Sequence, residues 1–450
     1  MNVITIMSDS LRYDHLGCNG NPYIRTPNID RFARESAMVF DNAYCGSFPT
    51  IPNRTDIHTG YWTFLRRGWT PLQAGDITLA GHLSSNGIPS MHIWDTPHLN
   101  KSNFQQGFAG WKLIRGQEGD GFEIPDAGTA RFDREKCHDR LAPSHLANHK
   151  DRRFEQDYAC AKTFAAAERW LERNYTRDGF YLAIDTFDPH EPWDPPQWMI
   201  DMYDTAYDGH APILIPWYQF CDDWTEAQIR QTRARYAGEV TLVDRAIGRF
   251  MTKVEDMGLL DNTVIVFMSD HGHLLGEHGR FGKSNRDGKR FVDQDPRYKA
   301  GWHLYRDITH LVMMLHVPGV EAGRTSAIMQ PVDLFPTICE AMGIDKPDTL
   351  EGSSLMPVLG DETQTHRDFA VTSGFGDDAS FTLTDGAHSL LFAGDGAEPA
   401  FYDLVADPGE DNNLMAERGR DAAGLRERFM EYFGTIVDDK SKLDRFAAAG

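Results

Sequence analysis

Residues 262–271 read Asn-Thr-Val-Ile-Val-Phe-Met-Ser-Asp-His, an unbroken apolar run delivered straight onto an acid and a histidine. A run without polar alternation reads as a strand buried on both faces, the condition of strands inside a parallel sheet. The N-terminus repeats the pattern: residues 2–7, Asn-Val-Ile-Thr-Ile-Met, lead into Ser8-Asp9-Ser10. Open α/β sheets place their ligands at the carboxyl ends of the strands. Two such strands, each ending in Asp, therefore converge on one site.

Helices alternate with these strands. Residues 27–36 begin with Pro27, a residue suited to a first helical turn. Residues 157–173 and 232–257 carry apolar side chains at helical spacing, residues 179–187 form another strand, and residues 332–343 a further helix. Phe48 to Arg54 contains two prolines and reads as a loop entering a short helix that stops at Gly60. Beyond Gly352 the texture changes to short alternating segments, 369–373, 380–384 and 389–392, and then a closing helix at 425–433. The organisation that follows is a large catalytic α/β domain over 1–355, with a mixed, mainly parallel sheet flanked by helices, and a small C-terminal α+β domain over 356–450. The charged loop 283–302 is long enough to be functional.

The chain has 450 residues, 41% hydrophobic and 25% charged, with a formal net charge of -22. That field repels nucleic acid and anionic membrane, so neither is an expected partner. A small anionic ester remains acceptable, because a local cluster of cations can reverse the sign inside a pocket. Association into a homo-oligomer is left open. The six cysteines are scattered without a C-x-x-C and read as thiols in a reducing compartment. No apolar run approaches the ~18 residues of a membrane helix, and no leader pattern precedes the first strand, so a cytoplasmic protein is expected.

The chemistry is carried by short blocks. Thr50-Ile51-Pro52-Asn53-Arg54 leads to Thr59-Gly60; Thr26-Pro27-Asn28 precedes it. Asp188-Pro189-His190-Glu191-Pro192, Ser269-Asp270-His271-Gly272, Gly276-Glu277-His278-Gly279 with Gly282-Lys283, Val332-Asp333-Leu334-Phe335-Pro336-Thr337, and Phe401-Tyr402-Asp403-Leu404 with Asp407-Pro408-Gly409-Glu410 follow in order. This set resembles the sulfatase family of the alkaline phosphatase superfamily, over nearly the whole chain and in the family's order. The first block resembles the motif C/S-x-P-x-R leading to T-G, with Thr50 at the nucleophile position.

The residues make chemical sense as a set. Asp9, Asp270 and His271 offer two oxygen donors and one nitrogen donor to a divalent ion, with the Thr50 oxygen completing the protein's share. Arg54, one helical turn after Thr50, is placed to offset charge. His190 suits a general acid for the leaving oxygen. Lys283 is a point charge suited to a transferring sulfuryl or phosphoryl oxygen. By resemblance, His98 in Asp95-Thr96-Pro97-His98-Leu99 falls where sulfatases have the His of a G-K-W-H-L block. Arg115-Gly116-Gln117-Glu118 is an unusual polar cluster without an assigned role.

The sequence departs from the family in three places. Thr50 replaces the Cys or Ser that becomes formylglycine. Ser10 replaces the second of two adjacent acids, and Thr96 stands near the place of the usual Lys. Thr50 has one hydroxyl where a formylglycine hydrate has two, so a covalent intermediate on it must be cleaved by water at the central atom. That favours phosphate or phosphonate esters, whose hydrolysis by two in-line attacks is ordinary chemistry. The alternatives are a sulfatase acting without formylglycine and an inactive anion-binding homologue. His271 favours zinc or manganese as the single ion, with calcium and magnesium as alternatives.

Overall fold

Two apolar runs become neighbours. β1 (Asn2–Ser8) pairs in parallel with β7 (Thr263–Ser269), Ser8 opposite Ser269, and on its other side with β5 (Tyr181–Thr186), Ser8 opposite Thr186. The computed structural model describes residues 1–125, 131–206, 209–299, 303–359, 364–374, 380–392, 398–436 and 443–444. The remaining strands are β2 (Met38–Ala43), β3 (Ser90–Trp94), β4 (Gly110–Leu113), β6 (Gln219–Phe220), β8 (Leu274–Leu275), β9 (Arg280–Gly282), β10 (Met313–His316), β11 (Gly323–Met329), β12 (Ala370–Ser373), β13 (Phe381–Thr384), β14 (His388–Phe392) and β15 (Ala400–Asp403). The helices are α1 (Pro27–Glu35), α2 (Thr50–Thr59), α3 (Leu79–Ser85), α4 (Pro97–Lys101), α5 (Leu141–Asn148), α6 (Ala159–Asn174), α7 (Gln197–Ile200), α8 (Glu226–Asp256), α9 (Gly288–Phe291), α10 (Arg306–Thr309), α11 (Leu334–Met342), α12 (Met356–Leu359) and α13 (Met415–Ile436).

The main sheet has the order β11-β2-β10-β7-β1-β5-β3-β4. β7, β1, β5, β3 and β4 run parallel, and β10 is antiparallel to both of its neighbours. The expected mixed, mainly parallel α/β sheet is therefore present. So is the small antiparallel sheet near the C-terminus, in the order β12-β13-β14-β15.

The chain divides into two compact units: Met1–Val39, Pro71–Gly282 and Val312–Gly323 in the first; Phe40–Thr70, Lys283–Leu311 and Arg324–Gly450 in the second. The second draws on three parts of the chain for a local reason. Gln330 Nε2 donates to Cys45 O at 3.0 Å, Tyr44 N to Met329 O at 3.1 Å, and Ser373 N to Gly46 O at 3.0 Å. The change of texture near Gly352 marks the start of that unit's small sheet rather than the start of the compact unit. Its core joins Trp62 and Phe64 to Phe429 and Phe433 of α13.

Several element ends differ from the sequence reading. α8 starts at Glu226, ahead of the apolar stripe at 232, because Thr225 and Gln228 form a capping box: Gln228 N donates to Thr225 Oγ1 at 3.2 Å and Thr225 N to Gln228 Oε1 at 3.0 Å. α13 starts at Met415, since its first turns are polar and hide the periodicity. α2 starts at Thr50 itself: Pro52 lies in the first turn, where no intrahelical N–H bond is lost. The 283–302 loop contains α9 and a 3-10 turn over Pro296–Lys299; residues 300–302 lie outside the described residues. No helix among the described residues is long and apolar enough to cross a membrane, and the six cysteines form no disulfide.

α1 lacks a side-chain cap from Thr26. Asp244 of α8 supplies it instead, accepting from Asn28 N at 3.0 Å, Ile29 N at 2.8 Å and Asn28 Nδ2 at 2.7 Å. Asp244→Ala removes the acceptor from the buried Ile29 N–H and the half-buried Asn28 donors and is expected to lower unfolding free energy by about 1–3 kcal/mol. Urea titration checks this; an unchanged midpoint would show that water replaces the cap without penalty.

Candidate active site and metal centre

Four consecutive strands of the first unit, β7, β1, β5 and β3, deliver the candidate groups at their carboxyl ends. The register sets Ser8 level with Ser269 and Thr186, and Trp94 level with Asp185. Asp9 and Asp270 therefore leave adjacent strands at the same height. The chain after β5 turns through Phe187–His190, and the chain after β3 enters α4, which carries His98.

Asp9, Asp270 and His271 are fully buried, and one ligand atom from each lies within 4.8 Å of the others. His271 Nε2 is 3.4 Å from Asp270 Oδ2 and 3.8 Å from Asp9 Oδ1. Its Nδ1 lies 2.9 Å from Gly272 O. A carbonyl only accepts, so the proton belongs on Nδ1 and the Nε2 lone pair faces two carboxylates. Three electron-pair donors buried together repel one another unless a cation lies among them. Two oxygens and one imidazole nitrogen are a donor set that fits a divalent ion.

Ser10 organises this centre, a role the sequence did not reveal. Its N–H and that of His271 both donate to Asp270 Oδ1, at 3.0 and 2.8 Å, and its Oγ donates to Asp9 Oδ1 at 3.0 Å. Its φ of 60° lies in the left-handed region, unusual outside glycine. The departure from the family's second acid is thus a residue that aims the two acids that remain.

His190 is buried, its ring stacked on Phe187 with centroids 4.0 Å apart. Its Nδ1 lies 2.7 Å from Glu191 O and 3.1 Å from Glu191 Oε2. A proton on Nδ1 leaves Nε2 as the exchanging atom. Glu191 also accepts from Tyr218 OH at 2.8 Å. His98 meets the same Phe187 edge-on at 6.0 Å. Trp193 and Trp217 are both buried; Trp193 donates to Pro189 O at 2.9 Å and Trp217 stacks on His138.

The second unit holds Thr50, Arg54 and Lys283. Thr50 is the first residue of α2 and only 2% exposed. Arg54, one turn later, is buried and donates to Thr50 O at 3.2 Å. Lys283 is 4% exposed, so it is not a solvated loop residue. The segment before α2 is pinned by Asp56, which accepts from Ser47 N at 2.7 Å, Ser47 Oγ at 2.8 Å and Thr63 N at 2.9 Å. No sequence signal marks Asp56, because its partners are set by the chain's path rather than by spacing.

Burial pushes the Asp56 carboxyl up to about 7. That exceeds the unfolded value of about 3.9. Its protonated form therefore stabilises the fold in full below about 3.9, and this contribution is gone once pH has risen through about 7. Between pH 5 and 7 wild-type stability should fall by up to about 1.4 kcal/mol per pH unit from this group. Asp56→Asn should be less stable at pH 5 and lack that component of the slope. Parallel slopes for the two proteins in denaturant melts would refute it.

A family model described as Sulfatase matches residues 1–344. An arylsulfatase of Clostridium perfringens is 26% identical over 456 residues, spanning 92% of this chain and 90% of that one. A multifunctional alkaline phosphatase superfamily protein of Trinickia caryophylli is 26% identical over 497 residues, spanning 92% and 91%. Among solved structures, the phosphonate monoester hydrolase of Agrobacterium radiobacter shares the fold with a TM-score of 0.77 at 20% identity, over 97% of this chain and 96% of that one. With a family model over three quarters of its length and the family's blocks in order, the chain belongs to the sulfatase family of ester hydrolases.

Proposed function

We propose that this enzyme hydrolyses phosphate or phosphonate esters of a small alcohol in two steps, with Thr50 as the nucleophile. The observation that carries the reading is Thr50 itself: a buried single hydroxyl on the first turn of α2, with the Arg54 guanidinium returning to the same turn. The dipole of a helix N-terminus favours an anion. In the first step Thr50 Oγ1 bonds to phosphorus, the ester P–O bond breaks, and the Thr50 proton passes by way of His190 Nε2 to the leaving alcohol. In the second, water bonds to phosphorus, the bond to Thr50 breaks, and one proton of the water passes to Thr50. Arg54 and Lys283 offset the charge on the transferring group.

Asp9, Asp270 and His271 would hold a divalent ion, zinc or manganese by the imidazole in the set. Bound there, such an ion supplies Lewis-acid charge neutralisation. The names of the Agrobacterium phosphonate monoester hydrolase and the Trinickia protein support the phosphorus reading. The Clostridium arylsulfatase's name supports the second reading, a sulfate ester cleaved without formylglycine.

Initial rates on matched aryl phosphomonoester, phosphodiester, phosphonate monoester and sulfate, with metals added singly, separate the two. A phosphorus ester should turn over fastest, and Thr50→Ala should lose about 10⁴-fold or more in kcat. A faster sulfate ester would sink the substrate assignment, and an active Thr50→Ala the nucleophile. Plasma emission on dialysed protein should find about one zinc or manganese per chain, with Asp270→Asn binding at least tenfold less tightly. Equal metal content in both proteins would place the ion elsewhere.

A further inference from the structure

The cluster Arg115-Gly116-Gln117-Glu118 is a built loop. Arg115 forks onto Asp120, Nε to Oδ2 at 2.6 Å and Nη2 to Oδ1 at 2.7 Å. Gly116 N donates to Asp120 Oδ2 at 2.9 Å, and Asn148 Nδ2 of α5 bridges Gly116 O and Asp120 O at 2.9 and 2.8 Å. This frame is tied by the exposed Arg115 and the half-exposed Asp120, yet Gln117 and Glu118 within it are buried.

Gln117 Nε2 donates to Asp188 Oδ1 at 2.6 Å, in the turn that carries His190. Glu118 is 4% exposed and its φ is 46°, so a bulky residue occupies the left-handed region while burying a carboxylate. Both conditions are unfavourable, and they persist where the surrounding structure dictates them, commonly at functional positions. The carboxylate ends beside a histidine: Glu118 Oε2 is 3.4 Å from His98 Nε2. His98 keeps about a third of its side chain exposed, at 34%, and meets Phe187, the ring on which His190 stacks.

We propose that Glu118 is a positioning residue for His98: its carboxylate holds the Nε2–H, fixes the ring's orientation, and leaves Nδ1 as the atom that meets the reacting ester. A carboxylate only accepts, so Nε2 must carry the proton and the neutral ring's lone pair lies on Nδ1. His190 has the opposite arrangement, with Nδ1 held by the Glu191 carbonyl and Nε2 exchanging. The two histidines flanking Phe187 thus present different nitrogens. This inference rests on the hydrolase reading only for what His98 does, not for how Glu118 holds it.

The test uses the full-length protein and the variants Glu118→Gln, Glu118→Gly and His98→Gln. Long-range proton–nitrogen NMR of the histidine rings, with His98 assigned by its own variant, should show Nε2–H in the wild type and a shift towards Nδ1–H in Glu118→Gly. Glycine suits the left-handed backbone, so that variant should keep or raise the melting temperature. Its kcat/KM on the best aryl ester should fall about 10- to 100-fold, with the isosteric Glu118→Gln in between. Combining Glu118→Gly with His98→Gln should lose no more than His98→Gln alone. A His98 tautomer indifferent to Glu118→Gly would overturn the proposal, as would losses that multiply in the double variant. Should no ester be turned over, the NMR result decides alone, so failure of the hydrolase reading stays distinguishable from failure of this one.

Discussion

The burial of carboxyl groups is the constraint around which the first unit is arranged. At the ends of β1 and β7, Asp9, Asp270 and His271 aim lone pairs at one point, and Ser10 and the His271 N–H aim them further. Parallel pairing makes this unavoidable: with Ser8 level with Ser269, the next residue of each strand must emerge beside the other. Register and residue type together thus set two carboxylates and an imidazole side by side, a donor set that fits a divalent ion.

Other buried acids of the same unit meet the constraint differently. Burial alone would raise Asp194, but Arg152 and His145 outweigh it and hold the carboxyl well below its ordinary range. Arg152 is itself braced over the Tyr158 ring. Burial, with Asp188 and Asp194 nearby, raises Glu239, which accepts from Asp194 N, well above its usual value, and Arg152 offsets this only in part. Asp95 is pushed up to about 8 by burial and by Asp188, while Thr163, Thr186 and the Phe187 N–H bind it. Guanidinium and proton are two solutions to one problem, and an ion held by Asp9, Asp270 and His271 would be a third. Such an ion would lie at the ends of both central strands, where it could exchange ligands with a substrate as a guanidinium or a proton cannot.

What was legible in the sequence follows from range. The strands and the Asp9, Asp270, His271 set could be read because each signal is local: an apolar run, then an acid. The frame around them could not. Asp244 caps a helix more than two hundred residues away, and Gln117 meets Asp188 across seventy-one positions. Neither leaves a periodicity. Prolines misled at α2, where Pro52 lies inside the first turn rather than before the helix. The start of α8 was written locally in Thr225 and Gln228 but lay outside the apolar stripe. Ser10 looked like a lost acid because its main work is done by a backbone N–H, which residue identity does not display.

The threonine at position 50 ties these observations to chemistry. A β-branched residue at a helix start has a restricted χ1, so its hydroxyl is held in few orientations before any substrate arrives. Burial on all ten residues of α2 and the Asp56 anchor behind it remove the remaining slack. A hydroxyl so fixed suits in-line attack, where misplacement by an ångström costs about 10²-fold. The same rigidity offers no second hydroxyl with which to expel an anion across carbon. On the proposed Thr50 route, turnover would depend on delivering water and managing its proton, a requirement that would fall on histidines whose tautomers are set by their neighbours. His190, held by a carbonyl, and His98, beside a carboxylate, are the rings proposed for it, and both flank Phe187.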